Sequence, residues 1–105
     1  MSALQFDVFA NPDLDSAESH PYFVVLQHDL LAQFNTRIVA PLIAPKQLPQ
    51  FERLMPEVKI RGSRFVIDLT NLGVLPTRLL QKPIANLEAE RYQIVRAIDL
   101  AFTGI

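Results

Sequence analysis

Short runs of apolar residues predict β-strands along the first part of the chain. Residues 4–9 (LQFDVF) alternate between apolar and polar side chains, which is typical of a half-buried strand. Residues 22–27 (YFVVLQ) are rich in β-branched and aromatic side chains and predict a strand buried on both faces. Residues 37–43 (RIVAPLI) predict a third strand, in which Pro41 has no amide hydrogen and therefore indicates an edge position or a bulge.

Turn-forming residues connect these strands and predict a second hairpin. Residues 11–21 (NPDLDSAESHP) are polar and acidic and contain a proline near each end, so we expect a mobile hairpin loop. Residues 57–60 and 64–68 lie on either side of Arg61-Gly62-Ser63. Two strand-like runs around a short glycine-containing turn predict a hairpin.

The last part of the chain predicts a turn, a short strand and one helix. Residues 70–76 (TNLGVLP) contain a glycine and end at a proline, which predicts a turn leading into a short strand at residues 77–81. Asn86 is a good N-cap, and negative charge at Glu88 and Glu90 suits a first helical turn. The apolar residues at helical spacing are Leu87, Ile94, Ile98, Ala101 and Phe102. We therefore expect a mainly β (α+β) fold, with a helix packed on an antiparallel sheet or small barrel.

Two apolar features lie where polar residues are usual. Leu30 and Leu31 follow the second predicted strand, at the point where the chain should turn. Phe102 and Ile105 lie at the carboxyl end, although chain ends are usually polar and frayed. Both features suggest contact surfaces.

Composition narrows the class of function. The formal net charge is −1 and the pI is about 6.1, which argues against direct binding of nucleic acid. The chain contains no cysteine, so we expect neither disulfides nor thiolate metal sites. We find no secretion signal and no apolar run of membrane-spanning length, so we expect a cytoplasmic protein with no membrane association.

The residues that could perform chemistry form no recognisable catalytic or metal site. His20 and His28 are eight residues apart and have no zinc-like spacing to other ligands. The loop serines, which lack a nucleophile motif, are Ser16, Ser19 and Ser63. Three acidic residues of the loop form a cluster that we interpret as solvent-exposed: Asp13, Asp15 and Glu18. We therefore expect no enzyme activity, no cofactor and no metal, and the remaining reading is an interaction module.

Four arginines leave two readings open. They are compatible with contacts to an acidic partner segment or with ordinary surface charge. These residues are Arg61, Arg64, Arg91 and Arg96.

The chain resembles the CcdB family almost from end to end. This family contains the toxins of the CcdA–CcdB toxin–antitoxin modules, which poison DNA gyrase. The resemblance runs through Gln5-Phe6, Val8, Phe23-Val24, Gln27, Asp29, Leu30, Leu31, Arg37, Val39, Pro41-Leu42, Pro56, Val58 and Ile60. It continues through residues 70–76 (TNLGVLP) and residues 97–105 (AIDLAFTGI).

The resemblance implies a fold, a dimer and a set of partners. The implied fold is an SH3-like antiparallel β-barrel with an added small sheet and a C-terminal α-helix, forming one toxin domain over residues 1–105. The implied assembly is a two-fold homodimer whose helix ends insert into the DNA gyrase A subunit dimer and trap the gyrase–DNA cleavage complex. A CcdA-like antitoxin would neutralise the toxin with a flexible acidic segment, and DNA would be contacted only through that antitoxin. By position, the implied gyrase-binding residues are Leu30, Leu31, Asp99, Phe102, Thr103, Gly104 and Ile105.

Two positions depart from the family pattern. Where gyrase-poisoning members typically have a tryptophan that stacks on a target arginine, this chain has Thr103, and where they typically have an asparagine it has Asp99. Threonine cannot supply an aromatic anchor. One alternative is therefore a non-toxic or retargeted homologue that keeps dimer and antitoxin binding. Another is an endoribonuclease like the MazF and Kid toxins, which share the fold, although the net charge of −1 disfavours the basic groove this needs.

Overall fold

One antiparallel sheet, curved into a nearly closed barrel, forms most of the molecule, and a helix completes the chain. The computed structural model describes residues 3–31, 33–45 and 53–104. In these residues the strands are β1 (Asp7–Ala10), β2 (Tyr22–Val25), β3 (Thr36–Ile43), β4 (Glu57–Ile60), β5 (Ser63–Ile67), β6 (Gly73–Pro76) and β7 (Ala85–Asn86). The helix is α1 (Arg91–Thr103). The predicted antiparallel barrel with a C-terminal helix is confirmed.

The eight-residue strand β3 is the centre of the sheet. The strand order is β4-β5-β3-β2-β1-β7, and β6 also pairs with β3. On one side β3 pairs with β2; on the other, residues 36–39 pair with β6, and Leu42 and Ile43 pair with β5.

Pro41 lies in the interior of the sheet, so of the two predicted positions, an edge or a bulge, the edge is wrong. The Pro41 carbonyl accepts a hydrogen bond from the Asp68 amide, on the side where the partner of β3 changes from β6 to β5. The nitrogen of a strand residue points to the same side as its carbonyl. The missing amide hydrogen therefore falls at a gap between two ladders, where its loss costs little.

The β4–β5 hairpin confirms the predicted second hairpin, with a turn of two residues. Arg61 and Gly62 have positive φ angles of 52° and 84°. Positive φ at both central positions defines a type I′ turn, which suits the twist of two antiparallel strands and favours glycine. Ser63, predicted to lie in the turn, is already the first residue of β5.

The prediction of a short strand at residues 77–81 is wrong, because the strand lies in the preceding residues. The strand β6 comes earlier, and Thr77–Leu79 form a 3₁₀ turn. The Thr77 amide donates to the Asn35 carbonyl at the end of the β3–β6 ladder, and the Leu80 amide then closes the turn on the Thr77 carbonyl. Gly73 and Pro76 are tolerated in β6 because it lies at an edge of the sheet.

Two apolar clusters lie on opposite faces of β1. Phe6 and Val8 belong to the larger cluster, which also contains Ile94 and Ala97 of α1. Phe9 belongs to the smaller cluster, with partners from the other face of the sheet: Ala3, Val25, Val39 and Leu80. The first strand is therefore buried on both faces, whereas its alternating sequence predicted burial on one.

The α-helix begins later than the sequence pattern predicts. Asn86 pairs with Asp7 as part of β7, and its Oδ1 accepts a hydrogen bond from the Glu88 amide at 2.8 Å. Asn86 thus bonds the first amide of a 3₁₀ turn, Glu88–Glu90, whose N-cap residue is Leu87, and α1 starts only at Arg91. No helix in the described part of the chain is long and apolar enough to cross a membrane.

Candidate functional site

Leu30 and Leu31 lie in a 3₁₀ turn, Asp29–Leu31, whose Asp29 side chain accepts a hydrogen bond from the Gln5 amide. Leu30 is 82% exposed and Leu31 is 44% exposed. Large aliphatic side chains are normally withdrawn from water, so an adjacent pair in this state is a candidate contact surface.

Hydrogen bonds fix the backbone that carries this pair. The Gln5 amide donates to Asp29 Oδ1 at 2.7 Å, and the Leu30 amide donates to His28 Nδ1 at 3.0 Å. Gln27 Nε2 donates to the Leu31 carbonyl at 3.3 Å and to the Thr36 carbonyl at 3.4 Å. These bonds connect the turn to the amino-terminal segment and to the start of β3.

Arg37 supports the same region from inside. It is only 2% exposed. Its Nε donates to the Ala3 carbonyl at 2.9 Å, and one terminal guanidinium nitrogen donates to the Phe34 and Thr36 carbonyls at 2.6 and 2.8 Å. A rigid guanidinium that bonds several carbonyls holds those segments in a fixed relation.

Two further exposed apolar residues lie in the segments that Arg37 connects. Leu4 follows Ala3 and is 45% exposed, and Phe34 is 53% exposed. We call Leu4, Leu30, Leu31 and Phe34 the turn patch. Sequence reasoning found only the leucine pair. Phe34 is a large apolar residue among polar neighbours in a turn region, and this pattern could have added Phe34 to the predicted contact surface.

The carboxyl end of α1 presents the second group of predicted residues. Ile94 and Ala97 are buried against the barrel, whereas Asp99, Phe102 and Thr103 are exposed. Phe102 exposes 69% of its surface, so the packing of the helix on the sheet does not account for it. We call Asp99, Phe102, Thr103 and Gly104 the helix end; the predicted site residue Ile105 lies outside the described residues.

Hydrogen bonds within the last helical turn stabilise the helix end. Gly104 has φ 75°, a left-handed conformation that favours glycine, and its amide donates to the Leu100 carbonyl at 2.9 Å. Thr103 Oγ1 donates to the Asp99 carbonyl at 2.6 Å. The Thr103 hydroxyl is therefore engaged within its own helix.

The turn patch and the helix end are connected to opposite ends of α1. Gln5, whose amide bonds Asp29, accepts a hydrogen bond from Arg91 at its Oε1 (3.3 Å), and Arg91 is the first helical residue. Phe102 comes eleven residues after Arg91, roughly 16 Å further along the helix axis. The chain thus presents exposed apolar side chains at two separate places.

A third exposed apolar group lies on the sheet. Ile38 of β3 and Val74 of β6 are directly opposite each other, and both are exposed. Among the described strands β6 pairs only with β3, so its other edge is open. This edge has no charged residue, whereas the edge strand β4 contains Glu57 and Lys59. Charges protect an edge from pairing with another chain, and β6 lacks that protection.

The four arginines singled out from the sequence have different environments. Arg64 forms two hydrogen bonds with Glu57, at 2.7 and 3.1 Å, and this bonding lowers the pKa of the Glu57 carboxyl and raises the pKa of Arg64. Arg91 lies 3.6 Å from Glu88 and over the Phe6 ring. Arg61 is in the hairpin turn, and Arg96 lies over Tyr92.

The histidines occupy structural positions. His28 accepts the Leu30 amide, and His20 Nδ1 lies 2.8 Å from Ser19 Oγ. In residues 3–31, 33–45 and 53–104 no three His, Cys, Asp or Glu side chains are placed to hold a metal ion. The loop of residues 11–21 is organised by Asn11, whose Nδ2 donates to Ser16 Oγ and to the His20 carbonyl.

Comparison with known proteins agrees with the fold. No curated protein sequence gave a significant match. The family model described as CcdB protein matches residues 5–104, which include every strand, the turn patch except Leu4, and the helix end. The chain therefore belongs to the CcdB family of toxins.

Proposed function

We propose that this protein is a toxin subunit that binds the DNA gyrase A subunit, traps the gyrase–DNA cleavage complex and is neutralised by a CcdA-like antitoxin. The observation that carries the proposal is the exposed Phe102 at the end of a helix whose other face is buried. Membership of the CcdB family supports this use of the helix end. The protein acts by binding and not as an enzyme.

The helix end provides the recognition chemistry. Phe102 offers a large apolar surface, and aromatic side chains are frequent hot spots of protein interfaces. The glycine at Gly104 stops the helix directly after Thr103, so no further helical turn blocks the approach of a partner. An apolar probe of this kind gains affinity by entering a pocket from which water is excluded.

The turn patch provides a second contact on the same target. Hydrogen bonds hold the Leu30 and Leu31 backbone in one conformation before binding. A pre-organised contact costs less conformational entropy on association than a mobile one. The implied gyrase-facing set thus combines two separate apolar groups on each protomer.

The β3–β6 face supports a homodimer. Ile38 and Val74 form an exposed apolar pair beside an uncharged, open strand edge. An open edge with an apolar face is suited to pairing with a second copy, which would satisfy its backbone groups and cover its side chains. Sedimentation of the purified protein tests this assembly: a dimer is expected, and Val74→Lys should shift the population towards monomer.

One observation favours a second candidate, a homologue that has lost or changed its target. Thr103 lacks an aromatic ring and its hydroxyl bonds the Asp99 carbonyl, while Asp99 adds an exposed negative charge nearby. Such a protein would keep the dimer and the antitoxin contact without poisoning gyrase. An endoribonuclease is a weaker candidate, because the described histidines bond only local loop groups.

A gyrase cleavage assay separates these functions. Purified protein is incubated with gyrase, ATP and supercoiled plasmid, and linear DNA is measured after the complex is denatured. Linear DNA that rises with protein concentration is expected for the toxin. Its absence, together with harmless overexpression, identifies the second candidate. Incubation with RNA under the same conditions tests the endoribonuclease reading, for which we expect no cleavage.

A further inference from the structure

The β4–β5 hairpin has a local excess of positive charge. Residues 57–64 (EVKIRGSR) contain three cationic side chains and one carboxylate, although the whole chain has a net charge of −1. The cations are Lys59, Arg61 and Arg64, and all three are exposed. We call these three residues the hairpin tip. They share no member with the turn patch, the helix end or the β3–β6 face.

Two of these cations face each other across the hairpin. Lys59 and Arg64 are directly opposite in the β4–β5 ladder, where like charges repel and destabilise a strand pair. The one carboxylate of the hairpin, Glu57, bonds Arg64 through both of its oxygens. Among the described residues Lys59 and Arg61 form no ion pair. A threonine or an acidic residue at Lys59 would therefore suit the hairpin better than a second cation.

The third cation occupies a backbone position that arginine rarely adopts. Arg61 has φ 52° and is the first central residue of the type I′ turn, with Gly62 as the second. Asparagine followed by glycine is strongly preferred in such turns, because asparagine tolerates positive φ better than long side chains do. At two separate positions, then, the hairpin has a cation where another residue type favours folding. This pattern indicates a use for the positive charge.

The shape of the hairpin tip suits a contact with duplex DNA. Among the described strands, residues 63–65 of β5 pair only with β4, so this part of the hairpin is a two-stranded ribbon. Val58 and Ile60 bury its inner face in the core, and the cations occupy its outer face and its turn. The major groove of B-DNA admits a two-stranded ribbon, and its edges are lined with phosphates.

We propose that the hairpin tip binds the phosphate backbone of duplex DNA. Arg61 and Lys59 are the main contacts, and Arg64 contributes less because it shares its charge with Glu57. Guanidinium groups bind phosphate oxygens in pairs, and contacts with phosphates carry no base specificity. The choice of DNA rests on the proposed function, because a gyrase–DNA cleavage complex holds duplex DNA beside a bound toxin. The contact is direct, whereas the family resemblance implies contact with DNA only through the antitoxin.

A titration of DNA with the purified protein tests the contact without gyrase. The probe is a fluorescein-labelled duplex of two helical turns and arbitrary sequence. Fluorescence anisotropy at low salt should show binding, and log Kd should rise with log salt concentration with a slope of about 2–3, because each neutralised phosphate contributes about 0.9. No binding at millimolar protein, or binding that is independent of salt, overturns the proposal.

Two further probes test the class of ligand. A labelled polyglutamate peptide of the same length of chain and an RNA duplex of the same sequence replace the DNA in the titration. The peptide should bind about tenfold more weakly than DNA, because carboxylates have one oxygen fewer than phosphates and lie along a flexible chain. Equal or tighter binding of the peptide, or tighter binding of the RNA, overturns the assignment to DNA.

Matched variants locate the DNA on the protein. Lys59→Gln with Arg61→Gln should weaken binding about tenfold and lower the salt slope by about 2, one for each cation removed. The control Arg78→Gln with Lys82→Gln removes the same charge from other exposed positions and should change Kd less than about twofold. Equal losses in the two double variants would show attraction to the whole protein and would overturn a site at the hairpin tip.

A single substitution separates binding from folding. Arg61→Asn should bind DNA about threefold more weakly and should unfold at a higher temperature, because asparagine before glycine suits the type I′ turn. Weaker binding by a more stable protein is not a consequence of misfolding. Unchanged DNA binding in this variant would overturn the role of Arg61 in the contact.

The gyrase assay remains an independent measurement. Binding of DNA at the hairpin tip without gyrase cleavage supports the DNA contact and contradicts the proposed toxin activity. Gyrase cleavage without DNA binding by the purified protein does the reverse. Where both occur, Lys59→Gln with Arg61→Gln should need about threefold more protein to produce the same amount of linear DNA, and the difference should shrink as salt is raised.

Discussion

The turn patch and Phe102 of the helix end are both exposed and apolar, but the fold supports them differently. Bonds from other segments hold the turn that carries Leu30 and Leu31. The Gln5 amide donates to the Asp29 side chain, Gln27 Nε2 donates to the Leu31 carbonyl, and the buried Arg37 donates to the Phe34 carbonyl. Phe102 is held only by the helix that carries it, and the last bonds there are local ones from Thr103 and Gly104.

The positions of the two surfaces therefore depend on different parts of the molecule. The position of the turn patch depends on buried polar groups distant from its surface, so changes inside the barrel should move it. The helix end depends on the docking of Ile94 and Ala97 against the core and on its own side chains. Mutations at the helix end should therefore change binding and leave the free energy of unfolding almost unchanged.

The largest effect should come from removing the internal support of the turn patch. Arg37→Met leaves the Ala3, Phe34 and Thr36 carbonyls without this donor and should lower the free energy of unfolding by roughly 3 kcal/mol. Urea denaturation measures the loss, and hydrogen exchange should show faster exchange at the Leu31 and Phe34 amides, which bond within the turn.

The control for this change is Arg64→Met, at an exposed ion pair. Both partners of this pair are exposed, and solvent screens exposed pairs, so the free energy of unfolding should change little. An Arg37→Met protein as stable as the control would show that the buried guanidinium does not hold the turn patch.

The second effect concerns the helix end. Phe102→Ala should weaken gyrase binding by about 2 kcal/mol, or roughly 30-fold in Kd, because it removes the main apolar anchor. The free energy of unfolding should change by less than about 0.5 kcal/mol, as expected for an exposed residue. Surface plasmon resonance on immobilised gyrase A subunit measures the first quantity. A Kd within twofold of the original would remove Phe102 from the interface.

A smaller effect is expected at the turn patch surface. Leu30→Ser should weaken gyrase binding by about 1 kcal/mol and leave the thermal midpoint unchanged. Leu14→Ser is a close control, because Leu14 is 89% exposed but lies in the loop of residues 11–21. Equal effects of the two substitutions would indicate general loss of surface hydrophobicity and no specific contact at Leu30.

Restoring an aromatic side chain should increase the contribution of the helix end to gyrase binding. Thr103→Trp should strengthen gyrase binding by about 0.5–1 kcal/mol through stacking on a cationic side chain. The hydrogen bond to the Asp99 carbonyl is lost, which costs little on an exposed helix. Unchanged affinity measured by the same resonance assay would mean that this surface contacts a different target.

The smallest effect is a dependence on pH at the β4–β5 hairpin. The Arg64 hydrogen bond lowers the pKa of Glu57, so the pair stabilises the fold above the unfolded pKa of Glu57, and the contribution is lost as pH falls through the folded value. Thermal midpoints of the original protein and of Arg64→Gln should therefore converge in acid. A difference between them that persists at low pH would assign the effect to packing.

The fold was predictable where local chemistry decides the structure. Arg61-Gly62 between two apolar runs specified the hairpin, because few turns of that length fit two twisted strands. The exposed Leu30 and Phe102 were visible as apolar residues at a turn and at a chain end.

Other features depend on contacts between distant segments. Arg37 read as an ordinary strand residue, and its burial follows from carbonyls at Ala3 and Phe34 that sequence alone cannot bring together. The place of Pro41 depends on β3 having two partners on one side. Which arginines form ion pairs within the described residues, as Arg64 and Arg91 do, likewise becomes visible only in the structure.

The most direct test of the account is the gyrase cleavage assay on three proteins at equal concentration. The unsubstituted protein and Leu14→Ser should produce the same amount of linear DNA, and Phe102→Ala should produce far less. Linear DNA that is absent for all three proteins, or equal for all three, would contradict the claim that the helix end of this protein poisons gyrase.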